Sequence, residues 1–360
     1  MSFLNDAASE MIAPLLPLFL TTVLGGAPAF VGIVEGAADA ASAALKLWAG
    51  RWSDRLGRRK PLMLAGYALA SATRPFLAIA GAPWHVLALR VVDRVGKGLR
   101  TSPRDALLAA SVAEGDRAAA FGFHRAMDHA GALVGAAIAW VVLTRVTTDL
   151  RTIFAWSAVP AIVAVGLAAF VRDRPVEPAR DGPVLPPLDP RVLPVLVAVG
   201  IAGLGLASEG FLLLRAADAG AETAMLPLLW MGLHAVKVMA SLGAGPVADR
   251  LGRRGMIALG WLARAALYGG FAVATSPEVV AALFVAYGLH AGLTEGSERA
   301  LVAEAGATGT AFGWYHLVTG AVALPAGLLV GGLWTEAGPG VAFGVAAGLT
   351  LAGIGPLAKR

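Results

Sequence analysis

Gly50-Arg51-Trp52-Ser53-Asp54-Arg55-Leu56-Gly57-Arg58-Arg59 returns 195 residues later as Gly245-Pro246-Val247-Ala248-Asp249-Arg250-Leu251-Gly252-Arg253-Arg254. Both stretches carry a glycine, an Asp-Arg pair and a Gly-Arg-Arg ending. Two more correspondences fall at almost the same offset. Ala120-Phe121-Gly122-Phe123 matches Ala311-Phe312-Gly313-Trp314, and Gly98-Leu99 with Arg104-Asp105-Ala106-Leu107 matches Gly292-Leu293 with Glu298-Arg299-Ala300-Leu301. Three matches in one order at nearly one offset divide the chain into two halves of one design.

The sequence around these loops is too apolar for a water-soluble protein. Charged residues are 15% of the chain and hydrophobic ones 57%, against roughly 25% charged for a soluble domain. Lipid is therefore the solvent for most of the surface. Crossing ~30 Å of hydrocarbon takes about 20 largely apolar residues, and twelve such segments follow one another. The first six cover 3–24, 28–49, 61–81, 83–106, 118–143 and 152–171; the second six cover 192–214, 223–244, 255–275, 278–302, 309–334 and 338–357. Spans four and ten are the least hydrophobic, and the even spacing of the rest argues that they cross too. The opening Met1-Ser2-Phe3-Leu4-Asn5-Asp6 has no basic region of a cleavable signal and reads as the start of span one.

A proline-rich stretch from Arg172 to Arg191 separates two bundles, 1–171 and 192–360, leaving 172–191 as a cytoplasmic linker. Orientation follows from loop cations. Arg51, Arg55, Arg58, Arg59 and Lys60, then Arg250, Arg253 and Arg254, then Arg172, Arg174, Arg180 and Arg191, with Lys359 and Arg360, all lie on one side. Arg145, Arg151 and Arg215 lie on the other. Both termini are expected in the cytoplasm of a cell whose inner or plasma membrane holds the protein. The net charge of +5 then belongs to cytoplasmic loops rather than to nucleic-acid binding.

A parallel repeat of six helices is the architecture in which two bundles rock around a midplane site. The loop Gly50 to Lys60 resembles the signature between helices two and three of the major facilitator superfamily, and helix count, halves and linker agree over the whole chain. The resemblance implies an all-α membrane protein of twelve helices in two pseudo-symmetric six-helix bundles. It also implies a gating role for Gly50, Asp54, Arg55, Gly57, Arg58 and Arg59 and for Gly245, Asp249, Arg250, Gly252 and Arg253, tying the bundles together on the cytoplasmic side. Within the superfamily the motifs are most similar to the proton-coupled antiporter, drug-efflux-like branch. Arg94-Val95-Gly96-Lys97-Gly98 resembles its Arg-x-x-Gln-Gly motif, with Lys97 in place of glutamine. Gly122, Gly131 and Gly135 resemble its span-five glycine motif, with Ala136 in place of proline.

Ionisable residues inside spans are functional candidates by default. Asp39, Arg94, Asp128 and His234 lie near mid-helix, and the duplicated loop places Asp39 and His234 at equivalent positions. His124 precedes Asp128 by four residues and shares its helix face. Glu10 in Ala8-Ser9-Glu10 resembles Glu209 in Ala207-Ser208-Glu209. Buried salt bridges that only hold helices together are the competing account of each. Arg90, Arg94, Lys97 and Arg100 form a basic stripe on span four, which either attracts an anionic substrate or is neutralised by acids of spans one, two and five; neutralisation is favoured.

No nucleotide loop, zinc-protease motif or nucleophile elbow is present, and without a cysteine thiolate chemistry is excluded. An enzyme is therefore not expected, nor a cofactor or a resident metal. The expected function is a secondary transporter exporting a small organic or drug-like solute with protons, as a monomer in the bilayer. The alternatives are a carrier of an anionic solute or a metal ion, with His124, Met127, Asp128 and His129 or Met231 and His234 as soft ligands, or a non-transporting receptor.

Overall fold

A computed structural model of the chain describes residues 1–111, 117–173, 193–305 and 309–357. Among them every regular element is helical. Span one is not one helix. It runs as Ser2–Glu10, a turn over 11–15, a short Leu16–Leu18 piece and a π-helical Phe19–Val23. Pro14 and Pro17 explain the break, since neither can donate a backbone N–H to the preceding turn. Span seven is interrupted likewise, between Leu193–Leu204 and Glu209–Asp218. At an offset of 194 the two breaks coincide. Continuous helices over 3–24 and 192–214 are thus corrected to a broken helix at the start of each half.

The next helices are Pro28–Leu56, Lys60–Leu77, Pro83–Ser111, Arg117–Arg145 and the pair Leu150–Trp156 and Ala158–Ala169. In the second half, spans eight and nine share Leu226–Val273, folded back at Gly252 with φ 70 and ψ 163. Its counterpart Gly57, φ 62, ends Pro28–Leu56. Both backbones lie where a Cβ is strongly disfavoured, which is why the duplicated loop keeps these glycines. Span ten is Pro277–Ala286 with Gly288–Ala305, span eleven Gly309–Ala337, and span twelve Pro339–Ala352 with Ile354–Leu357.

Among the described residues nine helices are long and apolar enough to cross a membrane. Spans one, three and four fall short: the first is broken, the third holds Arg74, and the fourth carries its basic stripe. Span ten passes, contrary to the sequence ranking.

Two compact units emerge, Met1–Phe19 with Ala37–Gly182, and Leu20–Gly36 with Pro183–Arg360. The first part of span two therefore clusters with the second half of the sequence, where a simple division at the linker would place it with the first. Glycine explains this. A Cβ on Gly32 would run into the backbone of Gly327, and one on Gly36 would meet Leu324 Cα at 2.6 Å. Ala29 N–H donates to Thr335 Oγ1 at 3.2 Å in the same seam.

Within the first unit, Gly131 and Gly135 bring span five against the carbonyls of Phe3 and Ala7 on span one. These two glycines of the antiporter-like motif are close-approach positions between helices; Gly122 lies outside the residues whose contacts are described. Gly66 and Gly96 do the same for spans three and four, and Gly260 sits in the same register against His290 and Thr294 of span ten. Apolar side chains such as Ile79, Phe170 and Val273 remain exposed, as a lipid-facing surface requires.

Candidate functional site

In the first unit the ionisable side chains converge where spans one, three and four meet. Asp93 sits among three guanidiniums, 3.6 Å from Arg74, 3.8 Å from Arg90 and 3.9 Å from Arg94. Asn5 Oδ1 on span one accepts from Arg74 at 2.9 Å and from Arg100 at 3.3 Å. The Arg100 guanidinium also lies 4.7 Å from the centre of the Tyr67 ring, a cation–π contact. Lys97 is within electrostatic reach of Arg94 and Asp6. Arg74, Arg90, Asp93 and Arg100 are all buried.

On span five His124 Nε2 lies 3.6 Å from Asp128 Oδ2, one helical turn on, as the spacing implied. Asp128 is buried and acts on Asp6 of span one. Asp39 has a different place. It is exposed on its helix, and the acid set against Arg94 is the adjacent Asp93. Glu10 closes the first helical piece of span one.

In the second unit Glu209 opens the helix after the span-seven break and forms an ion pair with Lys237 of span eight. His234, one turn earlier, also acts on Glu209 and packs edge-on against Trp230, centroids 5.3 Å apart. Glu10 ends a helix and Glu209 begins one, so the likeness of Ala8-Ser9-Glu10 to Ala207-Ser208-Glu209 does not reflect equivalent places. Among the described residues no three His, Cys, Asp or Glu side chains gather to hold a metal ion, and His129 is exposed.

Broken helices at matching places in two halves, with buried charges beside them, are the arrangement of a solute carrier. The family model described as Major Facilitator Superfamily matches residues 1–234. The chain belongs to the major facilitator superfamily. It is 28% identical over 345 residues to an uncharacterized MFS-type transporter of Methanocaldococcus jannaschii, covering 92% of this chain and 86% of that one. It is 29% identical over 162 residues to the multidrug resistance protein MdtH of Cronobacter sakazakii, covering 45% and 39%. A crystal structure of the nucleoside transporter NupG matches with a TM-score of 0.81 at 14% identity, covering 98% of this chain and 96% of that one; at that identity the likeness is one of fold. The protein is an integral, multi-pass membrane transporter and not an enzyme.

The facilitator loops have their own chemistry. Arg59 and Lys60 backbone N–H groups donate to Asp173 Oδ1 at 3.3 and 3.2 Å, and Lys60 Nζ donates to the Ala169 carbonyl at 2.7 Å. An acid thus caps the start of span three while a lysine meets the carbonyl end of span six. In the second half Arg254 reaches the Leu357 carbonyl at 3.4 Å, at the end of span twelve. Arg55, Arg58, Arg250 and Arg253 are exposed. The side chains of Asp54 and Asp249, and Gly50 and Gly245 with them, lie outside the described residues.

Sequence reasoning passed over Arg74, Lys237 and Asp173. The first two had a signal, a lone cation within an apolar segment, which marks a functional candidate. Asp173 had none, because its role depends on span six ending beside the start of span three.

Proposed function

We propose that this facilitator is a proton-coupled secondary transporter that exports a small organic solute from the cytoplasm by alternating access, as a monomer in the cell membrane with both termini inside. The observation that carries the proton part is the His124–Asp128 pair. An acid and an imidazole 3.6 Å apart, one turn apart on one helix, are placed to exchange a proton. Export is supported by the partial likeness to a multidrug resistance protein and by the Gly131 and Gly135 motif. The duplicated loops support gating by small shifts of the cytoplasmic helix ends.

Asp128→Asn holds the site in its protonated form. Purified variant in proteoliposomes should lose pH-gradient-driven flux while keeping solute exchange at equal pH. Full gradient-driven flux in both Asp128→Asn and Asp39→Asn would move the coupling group elsewhere, with Glu209 next in line. Loss of exchange as well as gradient-driven flux, with the protein still folded, would assign Asp128 to solute binding instead.

A further inference from the structure

The second unit provides a control for the first. The offset of 194 that aligns Gly66 with Gly260 also sets Arg74 opposite Tyr268 and Asp93 opposite Tyr287. In the second unit those two tyrosines stack, ring centroids 5.7 Å apart, and share a hydrogen bond of 3.0 Å between their hydroxyls. Two neutral phenols there join the helices that an arginine and an aspartate join in the first unit. The same comparison sets Arg90, Arg94, Lys97 and Arg100 against Phe284, Gly288, Ala291 and Thr294. At these positions the second pair carries no charge; its buried cation, Arg264 of span nine, donates to the Ala202 carbonyl and the Thr350 hydroxyl instead. Charge inside a span is costly, so its concentration in one unit asks for a reason.

The geometry supplies one. Arg74, Arg90, Arg94, Lys97 and Arg100 outnumber Asp6, Glu10 and Asp93, while Lys46 and Asp128 at the edges offset each other. The Asp93 carboxylate is farther from all three guanidiniums than the 2.7–2.9 Å of a charge-assisted hydrogen bond. Buried Arg74 Nη1, Arg100 Nε and Asp93 Oδ1 make no hydrogen bond among the described residues. A narrow slot of about 10 Å³ lies beside them, where Ser9, Thr73, Arg74, Arg90 and Asp93 meet the apolar Ile12, Leu77 and Leu89. Arg94, with 16% of its side chain exposed, is the most accessible of the three guanidiniums around Asp93.

We propose that this cluster binds the anionic group of a solute, a carboxylate or a phosphate, with the buried Arg74 and Arg100 and the less buried Arg94 and Lys97 as its donors. The proposal deepens the transporter reading by naming the chemical class of its solute, and rests on it. Arginine suits the role because its fixed donor fork matches both anions.

The test is thermal unfolding of the full-length protein in lipid nanodiscs with benzoate, succinate or inorganic phosphate. Benzamide serves as the neutral match, and sodium chloride holds the ionic strength. At least one of the three anions should raise the midpoint saturably while benzamide does not. Arg94→Gln should weaken that response roughly tenfold or more, as the loss of one charged donor does. The double variant Arg74→Tyr with Asp93→Tyr copies the second unit; it should fold and lose the response. If it does not fold, Arg94→Gln decides alone. No saturable shift with any of the three anions, or an unchanged shift in Arg94→Gln, overturns the site. Anion binding without any solute flux in proteoliposomes would keep the site and end the transporter reading. Flux of a neutral solute that none of the three anions affects would do the reverse.

Discussion

Removing Lys237 should cost more than removing Lys237 and Glu209 together. The two side chains are 17% and 27% exposed, so each has given up most of its water to reach the other between spans seven and eight. Removing one partner of a buried pair costs ~3–5 kcal/mol, whereas replacing both by apolar groups is often neutral. The residual exposure of Glu209 places Lys237→Met near the lower figure, about 3 kcal/mol. In that variant the carboxylate still has His234 nearby. Glu209→Leu alone leaves an ammonium without its carboxylate and should cost a similar amount. The double variant should cost less than either single, giving an interaction energy of about 3 kcal/mol or more, at the upper end of the span seen for contacting residues. Thermal unfolding of the four proteins in one detergent measures the cycle. Singles that add to within ~0.5 kcal/mol in the double would show that the two residues do not depend on each other. A double variant that folds but no longer drives flux would make the pair part of transport rather than of packing.

Three further outcomes follow from local geometry. Gly252→Ala should lose about 1–3 kcal/mol from backbone strain alone, since nothing lies within 4 Å of the added Cβ; unchanged thermal stability would refute the strain. Single cysteines at Arg58 and Thr148, both exposed, should label from opposite sides of the membrane. Ser53 in the same loop is buried and unsuited to labelling, and labelling of Arg58→Cys and Thr148→Cys from the same side would overturn the orientation. Asp149 caps the helix that starts at Leu150; the Thr152 hydroxyl above all, then the N–H groups of Arg151 and Thr152, holds its carboxyl below the ordinary range. Its stabilising effect is present above the unfolded value of about 4 and is lost as pH falls through the lowered folded value. The stability gap between the wild type and Asp149→Ala should therefore close in acid, and a gap that widens there would contradict the cap.

Much of this protein could be read from the chain alone. Composition called for lipid, the duplicated Asp-Arg-Leu-Gly-Arg-Arg stretches called for two halves, and their glycines held because Gly57 and Gly252 occupy backbone regions that side chains disfavour. His124 and Asp128 were legible because four residues make one turn of a helix. The exposure of Asp39 was not legible, since depth along a helix says nothing about which face a residue takes. Only the tertiary structure decided that Asp93 rather than Asp39 meets Arg94, that Glu209 pairs with Lys237, and that Asp173 caps span three. It also decided that Arg74 and Asp93 occupy the places of two stacked tyrosines. The reason is physical. Hydrophobicity and backbone preference are local properties that a short window of residues carries. An ion pair between helices depends on rotation and register, and packing of glycine against backbone sets both only once the helices have come together.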